Sequence, residues 1–142
     1  MPLAMEITEL SEFLDVIFPQ VRGEFAIDAL DQDAIKVRLK VGERHLRPGG
    51  TVSGPSMFGL ADVTTYLQIM AHIGPEALAV TTNCSLDFMR KPEARRDLIA
   101  TGRLLKLGRV LAVAEVHLRS EGSDAIVARA NMTYSIPPKA SG

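Results

Sequence analysis

A long and almost uncharged segment in the middle of the chain constrains the fold more than any other feature. Over residues 53–71, Asp62 is the only charged side chain, and most of its neighbours are apolar. The segment 55–73 has Pro55 in its first turn and Gly74 past its end, the positions that helices prefer for these residues. A helix that is apolar nearly all round must be enclosed by other elements. We therefore predict a buried central helix with Ser53 as its N-cap.

A membrane span is the first alternative for this segment. Its length is close to the roughly 18–20 residues that cross a bilayer. However, the segment contains a proline and several polar side chains, namely Ser56, Thr64, Thr65 and Gln68. Burial inside a globular fold accounts for this pattern better, so we expect no association with a membrane.

The rest of the chain predicts one further helix and six strands. Apolar residues at helical spacing indicate an N-terminal helix over about residues 6–18, closed by Pro19. Alternating patterns and turn residues predict strands at 24–30, 34–41, 77–89, 97–107, 110–120 and 125–136. Long strands joined by tight turns form an antiparallel sheet that curls. We predict an α+β fold in which an antiparallel sheet of about six strands wraps around the central helix, about residues 55–73.

Composition limits the classes of function. The 142 residues fit a single domain, 1–142, with 137–142 as a loose C-terminal tail. With 16 basic and 17 acidic residues and 5% aromatics, the chain lacks the positive field and stacking surfaces of a nucleic-acid binder. Cys84 is the single cysteine, and no secretory signal is visible at the start, so we expect a cytoplasmic location.

Asp62 is the chemically informative residue of the central helix. An unpaired carboxylate removed from water is costly, so it must be hydrogen-bonded, become neutral or face a wet cleft. One interpretation is structural: the side chain bonds a neighbouring hydroxyl or backbone N–H and orders the core. The other is functional: Asp62 is a general base or nucleophile in a partly dry site.

The first turn of the same helix provides a second feature. Helix N-termini expose backbone N–H groups and carry positive potential, so the Gly54 amide is suited to bind a developing oxyanion. Gly54 and Asp62 are separated by about 12 Å along one helix at 1.5 Å per residue. A reacting carbon needs both groups within roughly 3 Å. If the two groups cooperate, each must come from a different subunit, which predicts a homodimer with active sites at its interface.

The residues around this helix resemble those of a known family. Residues 52–62, Val-Ser-Gly-Pro-Ser-Met-Phe-Gly-Leu-Ala-Asp, resemble the helix entry of hotdog-fold acyl-CoA thioesterases of the phenylacetate-degradation (PaaI-like) type. These belong to the 4-hydroxybenzoyl-CoA thioesterase superfamily. Residues 86–92 are similar to the family's strand-end signature, and 106–109 resemble its turn of lysine, glycine and a basic residue. The resemblance covers about residues 24–136.

The resemblance implies a hotdog domain that pairs into a dimer with a continuous sheet, often further into a dimer of dimers. It also implies hydrolysis of small or medium acyl-CoA thioesters, with no metal and with coenzyme A only as part of the substrate. By position, Asp62 would be the base or nucleophile, the Gly54 amide would polarise the thioester carbonyl, and Thr81 would help hold the attacking water. The positions where the family holds the nucleotide and pantetheine arm are Phe88, Arg90, Lys106, Gly108 and Arg109.

Three positions depart from the family pattern. Ser53 stands where histidine is usual, Pro55 where a second glycine is usual, and Arg47 where asparagine or glutamine is frequent. These changes remove side chains that would contact the thioester carbonyl and the attacking water, but they leave the Gly54 N–H and the Asp62 carboxylate. Two alternatives therefore remain, a non-catalytic acyl-CoA binding protein and a hotdog hydratase or dehydratase. The second would need another protonating group beside the carboxylate, usually histidine.

The histidines and the cysteine do not suggest further chemistry. His45, His72 and His117 fall on a predicted loop, a helix end and a strand, whereas a metal site needs three or four converging ligands. We therefore predict no metal site. Cys84 lies in the middle of a strand, where a small buried apolar residue is the simpler interpretation.

Overall fold

The computed structural model describes residues 2–138 and contains two α-helices and six strands in that range. Helix α1 spans Ile7–Ile17 and α2 spans Gly54–Ile73. The strands are β1 (Phe25–Leu30), β2 (Ile35–Leu39), β3 (Val80–Phe88), β4 (Leu98–Leu107), β5 (Leu111–Ser120) and β6 (Ile126–Ser135). They form one antiparallel sheet in the order β1-β2-β4-β5-β6-β3. The α+β architecture predicted from the sequence is confirmed.

Element limits differ from the prediction mainly at the start of β3. This strand begins at Val80 and not at 77, because the preceding residues form a turn in which the Ala79 N–H donates to the Glu76 carbonyl at 3.2 Å. The Tyr66 hydroxyl also donates to the Ala77 carbonyl at 3.1 Å. The other strand and helix ends lie within two residues of the predicted limits. Of the predicted tail 137–142, residues 139–142 lie outside the described residues.

Helix α2 is enclosed by protein, as its composition predicts. The Ser53 hydroxyl caps it by accepting a hydrogen bond from the Ser56 N–H at 3.3 Å. Four of its large apolar side chains have no exposed surface, namely Leu60, Leu67, Ile69 and Met70. The buried hydroxyls of Thr64 and Thr65 donate to backbone carbonyls one turn earlier, so burying them leaves neither donor unpaired. Within residues 2–138, no helix is long and apolar enough to cross a membrane.

The segment before α2 anchors the start of the helix to the sheet. The buried His45 accepts a hydrogen bond from the Gly42 N–H at Nδ1, so its Nε2 carries the proton and donates to Glu24 at 2.7 Å. The Ser53 N–H in turn donates to the His45 carbonyl at 2.8 Å. The first turn of α2 is therefore tied to the residue that precedes β1.

Helix α1 packs on β1 and α2 through its buried residues Leu10 and Leu14. Just before this helix, the Ala4 N–H donates to the Ala71 carbonyl of α2 at 2.7 Å. Pro19 follows the helix and prevents its continuation, so Phe18 becomes the C-cap. This placement brings the end of α1 beside the middle of α2.

Close packing between α2 and β4 depends on Gly102, which gives a stability prediction. A carbon added at Gly102 would lie 3.0 Å from Thr64 Cγ2 and 3.1 Å from Gln68 Oε1, both buried. Overpacking a core costs about 1–3 kcal/mol, so we expect Gly102→Ala to lower the free energy of unfolding by that amount. Urea denaturation measures this change, and an unchanged midpoint would contradict the close packing.

Gly59 provides the matched control for this substitution. It lies inside α2, and a carbon added there meets no atom within 4 Å. Alanine is the better helix former, so we expect Gly59→Ala to raise the free energy of unfolding by about 0.5–1 kcal/mol. The two glycine variants should therefore move the urea midpoint in opposite directions.

Candidate active site

Asp62 is half-buried on α2 and is held by two hydroxyl groups. Its Oδ1 accepts a hydrogen bond from the Thr81 hydroxyl in β3 and another from the Tyr134 hydroxyl in β6, the latter at 2.7 Å. Among the described residues, 2–138, no donor is bonded to Oδ2. The carboxylate is therefore oriented through one oxygen and presents the other for chemistry.

This carboxylate opens into a cavity of about 370 Å³, which we call the Asp62 cavity. Its lining residues are Leu14, Ile17, Phe18, Asp62, Val63, Tyr66, Ala77, Ala79, Val80, Thr81 and Tyr134. A volume of this size lies within the range of small-molecule sites. Asp62 is thus reachable from outside the core and is not sealed within it.

Tyr134 is a site residue that sequence reasoning missed. Its side chain is 2% exposed, and its hydroxyl lies 2.7 Å from Asp62 Oδ1 and 3.0 Å from the Asp62 carbonyl oxygen. Burial, reinforced by the negative charge of Asp62, raises the pKa of Tyr134 well above its usual range, so the hydroxyl stays protonated and donates. In sequence, Tyr134 is one apolar residue of an alternating strand, and nothing local marks its contact.

The position of Tyr134 gives a prediction for the carboxylate that it holds. Tyr134→Phe removes one of the two donors to Asp62 Oδ1 while keeping the ring in the core. A hydrogen bond to a charged group contributes about 1.5–3 kcal/mol, so we expect kcat for a reaction that uses the Asp62 carboxylate to fall by about tenfold or more with little change in KM. Steady-state kinetics measures both constants. A change in KM alone would contradict a role in orienting Asp62.

Gly54 lies in a second opening, the Gly54 cleft, which also has a volume of about 370 Å³. It is lined by Arg47, Thr51, Val52, Gly54, Met57, Phe88, Met89, Arg90, Lys91 and Pro92. Three of these side chains are cationic and none is acidic, and none of the three cations has an ion-pair partner within residues 2–138. The cleft is therefore suited to an anionic ligand.

The Gly54 amide is a free donor at the floor of this cleft. Gly54 is the first residue of α2, so its N–H has no acceptor within the helix, and no other acceptor is bonded to it in the described part of the chain. A carbon added at Gly54 would lie 3.2 Å from Phe88 Cζ, so the aromatic ring packs directly on the glycine. This close approach explains why glycine suits the position.

The register of the sheet separates the two openings. At one end, Val80 of β3 and Leu111 of β5 both pair with Ser135 of β6. At the opposite end, Phe88 of β3 pairs with Ala128 of β6. The start of β3 and the β4–β5 turn therefore lie at one end of the sheet, whereas the finish of β3 lies at the other.

The predicted site residues consequently fall into two groups within one subunit. The first group, at the β4–β5 turn end, consists of Asp62, Thr81, Lys106, Gly108 and Arg109. The second, at the opposite end, consists of Gly54, Phe88 and Arg90. Asp62 of the first group and Gly54 of the second line different cavities.

The remaining polar candidates lie outside both openings or are inert. Within residues 2–138, no three histidine, cysteine or acidic side chains converge as a metal site. His117 of β5 is hydrogen-bonded to Glu115 at 2.7 Å, on the face of the sheet opposite the buried residues of that strand. Burial, with a smaller contribution from Asp62, raises the pKa of the Cys84 thiol, which keeps it out of its nucleophilic thiolate form.

Comparison with known proteins identifies the family. The family model described as "Thioesterase superfamily" matches residues 49–127, which is more than half of the chain and includes α2, Asp62 and Thr81. The chain belongs to the thioesterase superfamily. Membership makes it a thioester hydrolase and confirms the resemblance at the level of the superfamily, while the phenylacetate type stays a prediction.

Relatives and solved structures agree with this assignment. Human "Acyl-coenzyme A thioesterase 13" is 24% identical over 117 residues, 82% of each chain. "Putative esterase PA0474" of Pseudomonas aeruginosa is 30% identical over 106 residues, 75% of this chain and 78% of its own. The crystal structure of a protein described as a putative thioesterase from Silicibacter sp. TM1040 is 64% identical, with a TM-score of 0.91 and coverage of 97% of this chain and 96% of that one.

A more distant structure supports the fold alone. The zebra fish protein described as thioesterase superfamily member 2 is 21% identical, with a TM-score of 0.82, and covers 94% of this chain and 100% of its own. The six-stranded sheet around α2 is thus the hotdog fold of the thioesterase superfamily, as predicted.

Proposed function

We propose that this thioesterase superfamily member hydrolyses small or medium acyl-CoA thioesters at sites shared between two subunits. The observation that carries this proposal is the separation of Asp62 and Gly54 into different openings of one subunit. A general base and an oxyanion donor must act on the same carbon, so a second copy has to supply one of them.

In this mechanism Asp62 Oδ2 is the reactive oxygen. It accepts a proton from water as the hydroxide attacks the thioester carbonyl carbon, or it attacks that carbon directly, and both routes use the same carboxylate. The N–H of Gly54 from the partner subunit stabilises the oxyanion. In the first route the C–S bond then breaks and the proton held by Asp62 passes to the departing CoA thiolate. In the second route CoA leaves as the thiolate, and water hydrolyses the anhydride formed between the acyl group and Asp62, releasing the free acid and supplying the thiol proton. Thr81 orients Asp62 through Oδ1, and its hydroxyl oxygen can also accept a hydrogen bond from the attacking water.

Coenzyme A binds in this proposal along the cationic Gly54 cleft. Phe88 and Arg90 provide a flat apolar contact and a phosphate ligand, and the neighbouring cations Arg47 and Lys91 strengthen the positive field. Lys106, Gly108 and Arg109 come from the partner, because they lie at the Asp62 end of the sheet. The two groups of predicted residues then form one binding track across two chains.

Strand β3 is the proposed dimer edge. It is nine residues long and lies at one edge of the sheet, where its outer backbone groups lack a neighbouring strand. Large apolar side chains along it and at its ends are exposed, including Leu78 at 74%, Val80 at 54%, Phe88 at 55% and Met89 at 49%. Antiparallel pairing of β3 with its copy places the Asp62 end of one sheet against the Gly54 end of the other. A dimer of dimers remains a prediction from the resemblance.

The proposed chemistry needs no metal and no cofactor beyond the coenzyme A of the substrate, since Asp62 and the Gly54 amide supply the base and the oxyanion donor. We propose a cytoplasmic setting, where the free thiol of Cys84 stays reduced.

A thiol-release assay tests the function directly. The protein is incubated with a panel of acyl-CoAs and a thiol-reactive dye, and we expect free CoA to appear at a rate proportional to protein concentration. Binding of intact thioester without thiol release would instead identify a non-catalytic acyl-CoA binding protein. A hydratase would add water to an enoyl-CoA without releasing thiol, and in the described chain no histidine lines the Asp62 cavity to support that reaction.

A further inference from the structure

The walls of the Asp62 cavity differ in character from those of the Gly54 cleft. Seven of its lining side chains are apolar: Leu14, Ile17, Phe18, Val63, Ala77, Ala79 and Val80. Among the described residues, Asp62 is the only charged one in this lining. Leu14 and Ile17 come from the end of α1 and Phe18 is its C-cap, and the sequence did not connect this helix with the site. This cavity is therefore adapted to a hydrocarbon group, whereas the Gly54 cleft is adapted to an anion.

The hydroxyl groups of the cavity wall already donate hydrogen bonds to other groups of the protein. The hydroxyls of Thr81 and Tyr134 both donate to Asp62, and the Tyr66 hydroxyl donates to the Ala77 carbonyl. Burial, with the charge of Glu76, raises the pKa of Tyr66 to about 12, so this hydroxyl keeps its proton. A polar substituent on a bound acyl chain would find no spare hydroxyl proton here, and its desolvation would go uncompensated.

The negative charge of Asp62 also disfavours polar acyl groups, in particular those that carry a carboxylate. The Asp62 carboxylate repels a second carboxylate at short range, and within residues 2–138 no cation lines the cavity to offset this repulsion. An acyl group that ends in a carboxylate is therefore disfavoured at this position, while an unsubstituted chain meets only apolar walls.

We propose that Ile17, the last residue of α1, and Phe18, its C-cap, set the length of the acyl group, that the Asp62 cavity holds this group, and that it is an uncharged hydrocarbon chain. This proposal rests on the proposed function and names its substrate class. Ile17 is the last residue of α1, and Phe18 is 41% exposed at the rim of the cavity. A side chain at either position therefore changes the depth or the opening of the pocket.

The proposal predicts a graded dependence on chain length. Each methylene buried in an apolar pocket contributes a transfer free energy that corresponds to about a fourfold gain in kcat/KM. We expect kcat/KM of the wild type to rise by about that factor per methylene along straight-chain acyl-CoAs from acetyl upward, until the cavity is full. We also expect butyryl-CoA to be hydrolysed at least about tenfold better than succinyl-CoA, which carries a terminal carboxylate.

Substitutions at the end of α1 locate the pocket. Ile17→Trp fills the cavity and should lower kcat/KM for medium-chain acyl-CoAs more strongly than for acetyl-CoA, which moves the preferred chain length downward. Phe18→Ala opens the rim and should move the preference upward. Val16→Trp is the matched control, because Val16 is the preceding residue of α1 but is 77% exposed and does not line the cavity. It should keep the wild-type profile.

Thermal melting of every variant shows whether it is folded, so that a change in its length profile can be interpreted. Opposite shifts for Ile17→Trp and Phe18→Ala, with an unchanged Val16→Trp profile, support the proposal. Profiles that coincide for Ile17→Trp and Val16→Trp overturn it, as does a preference for succinyl-CoA. If Ile17→Trp does not fold, Phe18→Ala decides: an upward shift of the preferred chain length supports the proposal, and a wild-type profile overturns it. Hydrolysis of no acyl-CoA at all by the wild type would overturn the proposed function itself, an outcome distinct from an unshifted length profile.

Discussion

Asp62→Asn should lower kcat for acyl-CoA hydrolysis by at least about 100-fold while the protein stays folded. The lower bound follows from the 10²–10⁴-fold contribution that positioned acid–base groups typically make. The amide oxygen of asparagine can still accept the hydrogen bonds from Thr81 and Tyr134, so the fold loses little. What disappears is the basic and nucleophilic oxygen at the Oδ2 position. A thiol-release assay measures kcat, and circular dichroism shows whether the variant is folded.

Asp33→Asn is the matched control for this substitution. Asp33 is exposed in the turn between β1 and β2, at the sheet edge opposite β3. Its amide variant should hydrolyse substrate at the wild-type rate. Wild-type turnover by Asp62→Asn itself would remove Asp62 from the mechanism and leave its contacts with Thr81 and Tyr134 as purely structural.

Gly54→Pro should lower kcat by about 10²–10³, the cost of deleting one oxyanion donor. Proline removes the N–H and is favoured at the first position of a helix. Because position 54 also precedes Pro55, circular dichroism must show that α2 still forms in the variant. Ser53 already has the extended backbone, φ −74 and ψ 155, that a residue before proline prefers. The ring must displace Phe88, which lies 3.2 Å from a carbon at this position but is 55% exposed and free to move. Steady-state kinetics measures the loss, and an unchanged kcat would show that another group binds the oxyanion.

Mixing the two inactive variants distinguishes shared sites from sites within one chain. A heterodimer of Asp62→Asn and Gly54→Pro subunits has one site with both defects and one with neither. After random exchange, about half of the dimers are mixed, so the mixture should recover about a quarter of wild-type activity from components that each retain about 1% or less. No recovery after confirmed subunit exchange would contradict a site formed from both subunits.

The element order was predictable because its signals are local. The apolar segment of α2, the proline and glycine at its ends, and the alternating strands each depend on neighbours within a few residues. These signals gave the two helices and the six strands. The start of β3 was wrong because a turn bonded to Glu76 and Tyr66 occupies residues that alternate like a strand.

The site was predictable only in part. The isolation of Asp62 on an apolar helix marked it as unusual, and the length of that helix showed that Gly54 could not reach the same carbon. The resemblance predicted Thr81 as a residue that helps hold the attacking water, whereas its hydrogen bond to Asp62 was not predicted. No local sequence signal marked Tyr134, Ile17 or Phe18 as site residues, because strand alternation and helical spacing are equally consistent with ordinary core positions.

The sequence by itself determined the class of fold and singled out the carboxylate, because both follow from the burial pattern. It also predicted a second subunit, from the distance along one helix. The tertiary structure decided which distant residues meet: Tyr134 reaches Asp62 across 72 positions of sequence. It also decided that Arg109 and Arg90 lie at opposite ends of one sheet. Strand pairing and register set these contacts, and both depend on the summed packing of all six strands around α2, which no short stretch of sequence contains.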